Sequence, residues 1–141
     1  ATTEIYTLSL HDALPIWVLR LFKNSQIQII TTTLADTQDF GIFRVICTEP
    51  ERAYLVLKKA GITATLTEVQ AIGLDNTPGQ AADALEIFAA ADIEISYLYS
   101  FLLKNKGVLI FKTDNRRRAD EIIKEHRLNT LNDCDLLKLA E

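Results

Sequence analysis

Apolar positions along this chain switch repeatedly between a spacing of two and a spacing of three to four, and the switches mark out its elements. A helical pattern runs from Trp17 to Lys23, with Asn24 placed as a left-handed cap. Residues 27–35, rich in β-branched side chains, predict a strand. After the polar turn 36–39, residues 40–47 predict a second strand with Phe43, Val45 and Cys47 on one face. Thr48-Glu49-Pro50-Glu51 has the layout of a capping box and opens a helix with Ala53, Val56, Leu57 and Ala60 inward. Gly61 stops that helix, and residues 62–69 predict a strand that continues through Leu74.

The second half repeats the first. Gly41 falls on Gly107, an offset of 107 − 41 = 66, and the same step carries Phe22 to Phe88, Ile27 to Ile93, Ile29 to Ile95, Ala53 to Ala119 and Leu57 to Ile123 without a gap. Thr48, a helix cap, falls on Asp114, another good cap. The predicted elements are a helix over 78–91, strands over 92–103 and 107–113, a helix over 115–126 and a strand over 128–131. A short helical tail capped by Asn132 carries Leu136, Leu137 and Leu139. Self-similarity at a fixed offset means two copies of one supersecondary unit. Each reads β-α-β-β-α-β, so the expected fold class is α+β: two tandem ferredoxin-like units, each with helices on one face of an antiparallel sheet. The expected boundaries are 17–68 and 69–141.

Between the strand ending at Leu74 and the alanine-rich helix lies Asp75-Asn76-Thr77-Pro78-Gly79-Gln80. Thr77 is placed as N-cap, Pro78 as first helical residue, and Gln80 completes a Thr-x-x-Gln box. Gly79, without a side chain, leaves the first turn open. Such a start presents unpaired backbone N–H groups and the positive end of the helix dipole, a seat for a carboxylate or phosphate. The same residues also make an ordinary strand-to-helix turn; by themselves they permit a site without requiring one.

The first sixteen residues, ATTEIYTLSLHDALPI, stand apart. Back-translated, residues 6–16 read in frame as a standard short-read sequencing adapter, and residues 1–5 continue the same oligonucleotide upstream. Residues 1–16 are therefore expected to be a translated adapter, and Ser9, His11 and Asp12 receive no functional role. Residues 5–10 can still form a strand, and Asp12 can cap a helix in which Leu14, Trp17, Val18 and Leu21 share a face. The segment is expected to take the place of a lost native strand. By the repeat, Pro78 and Gly79 correspond to positions 12 and 13, inside it.

Composition narrows the function classes. With 48% hydrophobic residues the chain can bury a core, which excludes disorder. A net charge of −4 and a pI of about 5.2 argue against nucleic-acid and anionic-membrane partners. No apolar run approaches the length of a membrane span. Cys47 and Cys134 lack companions at metal-binding spacing and read as reduced thiols of a cytoplasmic protein, so no metal or cofactor is expected. No Ser-His-Asp, Cys-His or paired-carboxylate set emerges, so no catalysis is expected.

Three further features have two readings each. Arg116-Arg117-Arg118 opens a helix, where positive charge opposes the dipole; it either meets an acidic partner or is a solvated helix start. Tyr97, Tyr99 and Phe101 alternate along one strand face and either stack RNA bases or pack the sheet, the acid pI favouring the latter. His126 is a helix-end residue suited to capping or surface exposure. Asp39-Phe40-Gly41 spells a kinase tripeptide without the motifs that accompany it there, and reads as a hairpin end.

The whole resembles a tandem ACT-domain protein of the small stand-alone type over residues 17–139. The resemblance is carried by the repeat, by Asn76-Thr77-Pro78-Gly79 matching the family's D/N-x-P-G turn, by Ala91-Asp92-Ile93-Glu94-Ile95, and by the ending Leu131-Asn132-Asp133-Cys134-Asp135-Leu136-Leu137. It implies a regulatory sensor that binds an amino acid at an interface between paired ACT-like units, as a homodimer with a metabolic enzyme as possible partner. Asn76 would hold the ligand by its side chain. The backbone of Thr77, Pro78, Gly79 and Gln80 would receive its carboxylate, and Glu94 would reach across to the ammonium of a ligand in the facing unit. The counterpart of Glu94 is Gln28 (94 − 66 = 28). Leu74 stands where serine-binding members have histidine, which favours a more apolar amino acid. The rival readings are a ligand-free regulatory or interaction subunit of a metabolic enzyme and an RNA-binding βαββαβ module.

Overall fold

The structure, a computed structural model, describes residues 2–9, 13–36, 41–75 and 79–140; for residues 8, 9, 13–15, 36 and 140 it describes the backbone alone. The chain divides into two units, Thr3–Thr67 and residues 68–140 with Thr2.

The first unit runs β1 (Thr2–Ser9), α1 (Ala13–Asn24), β2 (Ile29–Asp36), β3 (Gly41–Cys47) and α2 (Pro50–Lys59), and ends in the first residues of β4 (Ala64–Leu74). Strand β3 lies between β2 and β1 and is antiparallel to both. Its core collects Ile5, Val18, Phe22, Phe43, Val45, Ala53 and Leu57, none more than 5% exposed. The second unit continues β4, then α3 (Gln80–Ala90), β5 (Ile95–Leu103), β6 (Lys106–Thr113), α4 (Arg116–Glu125) and α5 (Asp133–Ala140). Strand β6 pairs antiparallel with β4 and β5. Ile72, Phe88, Leu109, Phe111, Ala119, Ile122 and Ile123 fill its core, with the Phe88 and Phe111 rings 4.9 Å apart. The predicted strand over 128–131 is reduced to one bridge, Thr130 to Ile72, flanked by the N–H of Leu131 on the carbonyl of Ala71 (2.8 Å) and the N–H of Gly73 on that of Asn129 (2.7 Å).

The repeat is written into the backbone. Each unit has a break in register at the same place, between Ile29 and Thr31 on β2 and between Ile95 and Tyr97 on β5. Helices α1 to α4 all end in the same way: a left-handed residue (Gln26, Gly61, Asp92, Arg127) followed by an apolar one whose N–H bonds a carbonyl five residues back. These bonds run from Ile27 to Phe22, Ile62 to Leu57, Ile93 to Phe88 and Leu128 to Ile123. This six-to-one closure packs the apolar residue on the last turn and satisfies a carbonyl left orphaned by the helix end.

Several expectations are corrected. The left-handed residue after α1 is Gln26, not Asn24, because the helix extends until Ile27 can reach Phe22. The caps of α2 and α4 are Glu49 and Asn115, one residue beyond Thr48 and Asp114. The N–H groups of Thr48 and Asp114 are bonded to the carbonyls of Gln28 and Glu94, which ties both residues to the sheet. Helix α3 starts at Gln80 with Gly79 as N-cap, while Thr77 and Pro78 lie outside the described residues, and β5 begins at Ile95 rather than at 92. On α1, Val18 and Phe22 take the core face and leave Trp17 60% exposed; Ala60 is exposed too. Strand β1 contains the adapter-like residues 5–9, paired with β3 from Ile5 to Ser9; Leu10 and Asp12 fall outside the described residues. Asn132 caps α5 as expected, accepting from the Asp135 N–H at 2.8 Å while its own N–H bonds the Asp135 carboxylate at 3.0 Å.

Candidate functional site: a cavity at the start of α3

Gly79 sits at φ +84, a left-handed backbone suited to glycine, and a side chain added there would meet nothing within 4 Å. The first backbone bond of α3 runs from the Asp83 N–H to the Gly79 carbonyl at 3.0 Å. The N–H groups of Gln80, Ala81 and Ala82 therefore have no partner within the helix, and no side chain among the described residues caps it.

A cavity of about 270 Å³ opens beside this start. One wall is the end of β4, residues 72–75; a second is the face of α3 with Gln80, Asp83, Ala84 and Ile87; the third is the turn after α4, Arg127, Leu128 and Asn129. Ile72, Leu74, Ala84, Ile87 and Leu128 give it an apolar lining, with Asp75 and Asp83 against Arg127 as its charges. The amide oxygen of Gln80 is buried with no hydrogen-bond partner among the described residues. An unpaired buried acceptor costs roughly 1–3 kcal/mol, and this oxygen is closed off from solvent as well as unpaired. Asn129 reaches the cavity because Gly73 has no side chain: a Cβ there would come within 2.6 Å of the Asn129 Nδ2.

Of the residues expected from sequence, Gly79, Gln80 and Leu74 come together at this corner, with Gln80 and Leu74 in the cavity wall. Asn76, Thr77 and Pro78 lie outside the described residues. Glu94 is exposed and follows the opposite end of α3, roughly 16 Å away along an eleven-residue helix. Gln28 is exposed in the other unit. Neither Glu94 nor Gln28 lines the cavity. Asp83, Arg127 and Asn129 had not been singled out in the sequence. Two signals pointed to them: a lone glycine inside the β4 pattern, which marks close backbone approach, and the alignment of Arg127 with Gly61 at the repeat offset (127 − 61 = 66).

The arginine run is neutralised within its own unit. Arg116 pairs with Glu68 and Asp120, Arg117 with Glu121 at 3.9 Å, and Arg118 with Glu121 at 3.1 Å. Tyr97 and Tyr99 are partly buried with near-parallel rings 6.5 Å apart. His126 is the C-cap of α4. In the first unit a hydrogen bond from Arg52 holds the Glu49 carboxyl below its usual range. Among the described residues no group of three or more His, Cys, Asp or Glu could hold a metal, and no helix is long and apolar enough to cross a membrane.

A duplicated βαββαβ unit with antiparallel sheets and an open strand-to-helix corner defines the class. The chain belongs to the ACT domain pair family, which it matches over residues 11–140. It is similar to the crystal structure of protein BT0572 from Bacteroides thetaiotaomicron, at 26% identity over 96% of this chain and 94% of that one, with a TM-score of 0.89. It shares its fold with the regulatory subunit of aspartate kinase from Thermus thermophilus, at 10% identity over 87% and 91% of the two chains and a TM-score of 0.64. The corresponding subunit from Thermus flavus gives 12% identity over 99% and 92%, with a TM-score of 0.59. No curated protein sequence matches the chain significantly.

Proposed function

We propose that the protein is a non-catalytic regulatory module that senses a small amino acid in the second-unit cavity. The observation that carries this reading is the juxtaposition of a helix start with no side-chain cap among the described residues and both signs of charge around a lining that is otherwise apolar. The ligand carboxylate sits on the backbone N–H groups at the start of α3, those of Gln80, Ala81 and Ala82; Asn76, outside the described residues, is the side chain proposed to hold the ligand. Its ammonium is received by the Asp75 and Asp83 carboxylates. Leu74 and Ile87 favour an apolar side chain over a hydroxyl. A cavity slightly below the usual range for drug-sized ligands suits a single amino acid. Glu94 and Gln28 serve a ligand held by a facing ACT-like unit of a second copy.

Edge strand β5 supports assembly as well. Its sequence ISYLYSFLL carries no charge, and Leu98 and Leu102 are 46% and 71% exposed. Uncharged apolar edges invite pairing with another strand, so a homodimer or a metabolic-enzyme partner is covered by this reading. An RNA-binding role is disfavoured by the internal pairing of Arg116, Arg117 and Arg118.

A thermal-shift screen of the twenty proteinogenic amino acids against the full chain tests the proposal. Ligand at a hundred times its Kd stabilises by about 2.7 kcal/mol, a shift of several degrees. Absence of any shift at millimolar concentrations leaves the ligand-free interaction subunit as the better reading.

A further inference from the structure

We propose that Arg127 anchors the ligand's α-carboxylate in the second-unit cavity and makes the site selective for free amino acids over their amides; this rests on the amino-acid reading of that cavity. Three observations converge on the residue. It lines the cavity, in the turn after α4. It makes no ion pair among the described residues, whereas Arg116, Arg117 and Arg118 of the same unit all do. It also occupies a left-handed turn, φ +53, whose counterpart in the first unit is Gly61 at φ +79. The closure of α4 therefore does not call for an arginine: the first unit makes the same turn, with the same following apolar residue and the same six-to-one bond, using a residue with no side chain.

A surface cation that merely complements the C-terminal dipole of α4 is the ordinary alternative, but Lys124 in the last turn already fills that role. A guanidinium offers a planar fork of donors matched to the two oxygens of a carboxylate. With Arg127 on one wall and the free N–H groups of α3 on the other, the anionic end of a zwitterion is held from two sides. The Asp75 and Asp83 carboxylates remain for its ammonium. An α-carboxamide keeps the size and the ammonium but removes the charge that the fork reads.

The repeat supplies the test variant, because Arg127→Gly installs the residue that the fold already accepts at the equivalent turn. The amino acid giving the largest thermal shift is titrated calorimetrically against the full chain, alongside its own α-carboxamide. Wild type should prefer the acid by about tenfold or more, the size of a charge-assisted hydrogen bond. Arg127→Gly should melt at or above the wild-type temperature without ligand, bind the acid about tenfold more weakly, and no longer distinguish acid from amide. Arg127→Lys, keeping the charge but not the fork, should fall between. Equal binding of acid and amide by wild type, or an acid preference that survives in Arg127→Gly, overturns the anchor while leaving the sensor reading intact. A wild-type chain that responds to no amino acid overturns both.

Discussion

The groove between the first helix of a unit and the turn after its second helix occurs twice, and the two copies are furnished differently. In the first unit it measures about 310 Å³ and is lined by Trp17, Arg20, Leu21, Asn24, Ala60 and Ile62. In the second unit the positions of Trp17, Leu21 and Ile62 fall on Asp83, Ile87 and Leu128 (83 − 17 = 87 − 21 = 128 − 62 = 66), and all three line the cavity at the start of α3. The apolar floor is kept, Leu21 for Ile87 and Ile62 for Leu128. The chemistry is exchanged: an indole for a carboxylate, and Gly61 for Arg127. What the copies share holds the unit together, and what they do not share is where a ligand could be told apart.

The core should show the shared part most strongly. Phe22→Ala and Phe88→Ala should each cost about 3–5 kcal/mol in urea unfolding, since both rings are fully buried at equivalent positions. Phe88→Ala should exceed Phe22→Ala by about 1 kcal/mol, the worth of its tilted contact with Phe111. Next comes a feature of the first unit, the buried Glu4 facing Arg44 at 3.7 Å. Glu4→Ala leaves a largely buried guanidinium short of its counter-charge and should cost about 3 kcal/mol by the same measurement.

Gly73→Ala sharpens the other side of the comparison. The new methyl displaces the exposed Asn129 amide from its place in the cavity wall, so this variant should lose no more than about 1 kcal/mol of stability and weaken amino-acid binding in calorimetry. Reciprocal exchange at the left-handed turns is of similar size. Gly61→Arg should destabilise by about 1 kcal/mol, whereas Arg127→Gly should stabilise by a similar amount, both read from melting temperature. The smallest effect concerns pH. Glu49 is held below its usual pKa by Arg52, so its contribution is present above the unfolded carboxylate pKa and is lost as pH falls through the lowered value. Because the pair is solvent-exposed, Glu49→Gln should lower the melting temperature slightly at neutral pH and not at all in strong acid.

The fold was readable in the sequence because periodicity and the repeat both report burial. The inward face of β3, that of α2 apart from Ala60, and the pairing of Phe22 with Phe88 followed directly from them. Helix starts were less readable. Thr48, Asp114 and Thr77 each satisfy the chemical requirement for a cap, but the sheet claims Thr48 and Asp114 through backbone hydrogen bonds, and the cap passes to the next residue. At α3, Gly79 takes the position by adopting a backbone that other residues enter at a cost. Arg127 was marked in the sequence only by its alignment with Gly61, since a charged residue just past a helix is unremarkable until the neighbouring walls are known.

Strand β1 shows how little a strand needs. The proposal that residues 1–16 are translated adapter is compatible with Ile5 standing 1% exposed in the first core, because alternation and bulk suffice to fill a strand position. By register the substitute does not align with the second unit as its helices do. Leu8 and Gly73 oppose Ile42 and Val108, so the strand step is 73 − 8 = 65 against 66 for the helices, and the connection to α1 is one residue shorter. Sequencing the genomic locus across position 16 checks that proposal directly.

The seat that Gly73 provides for Asn129 reaches further than the cavity. Only three residues separate Asn129 from α5, and within them Leu131 is hydrogen-bonded to β4 while Asn132 locks the first turn of the terminal helix. That short span has almost no slack, so a tug on the asparagine is felt at Leu136, which is wholly enclosed. On the proposed sensor reading, this short span is the route by which occupancy of the cavity would be reported at the last helix.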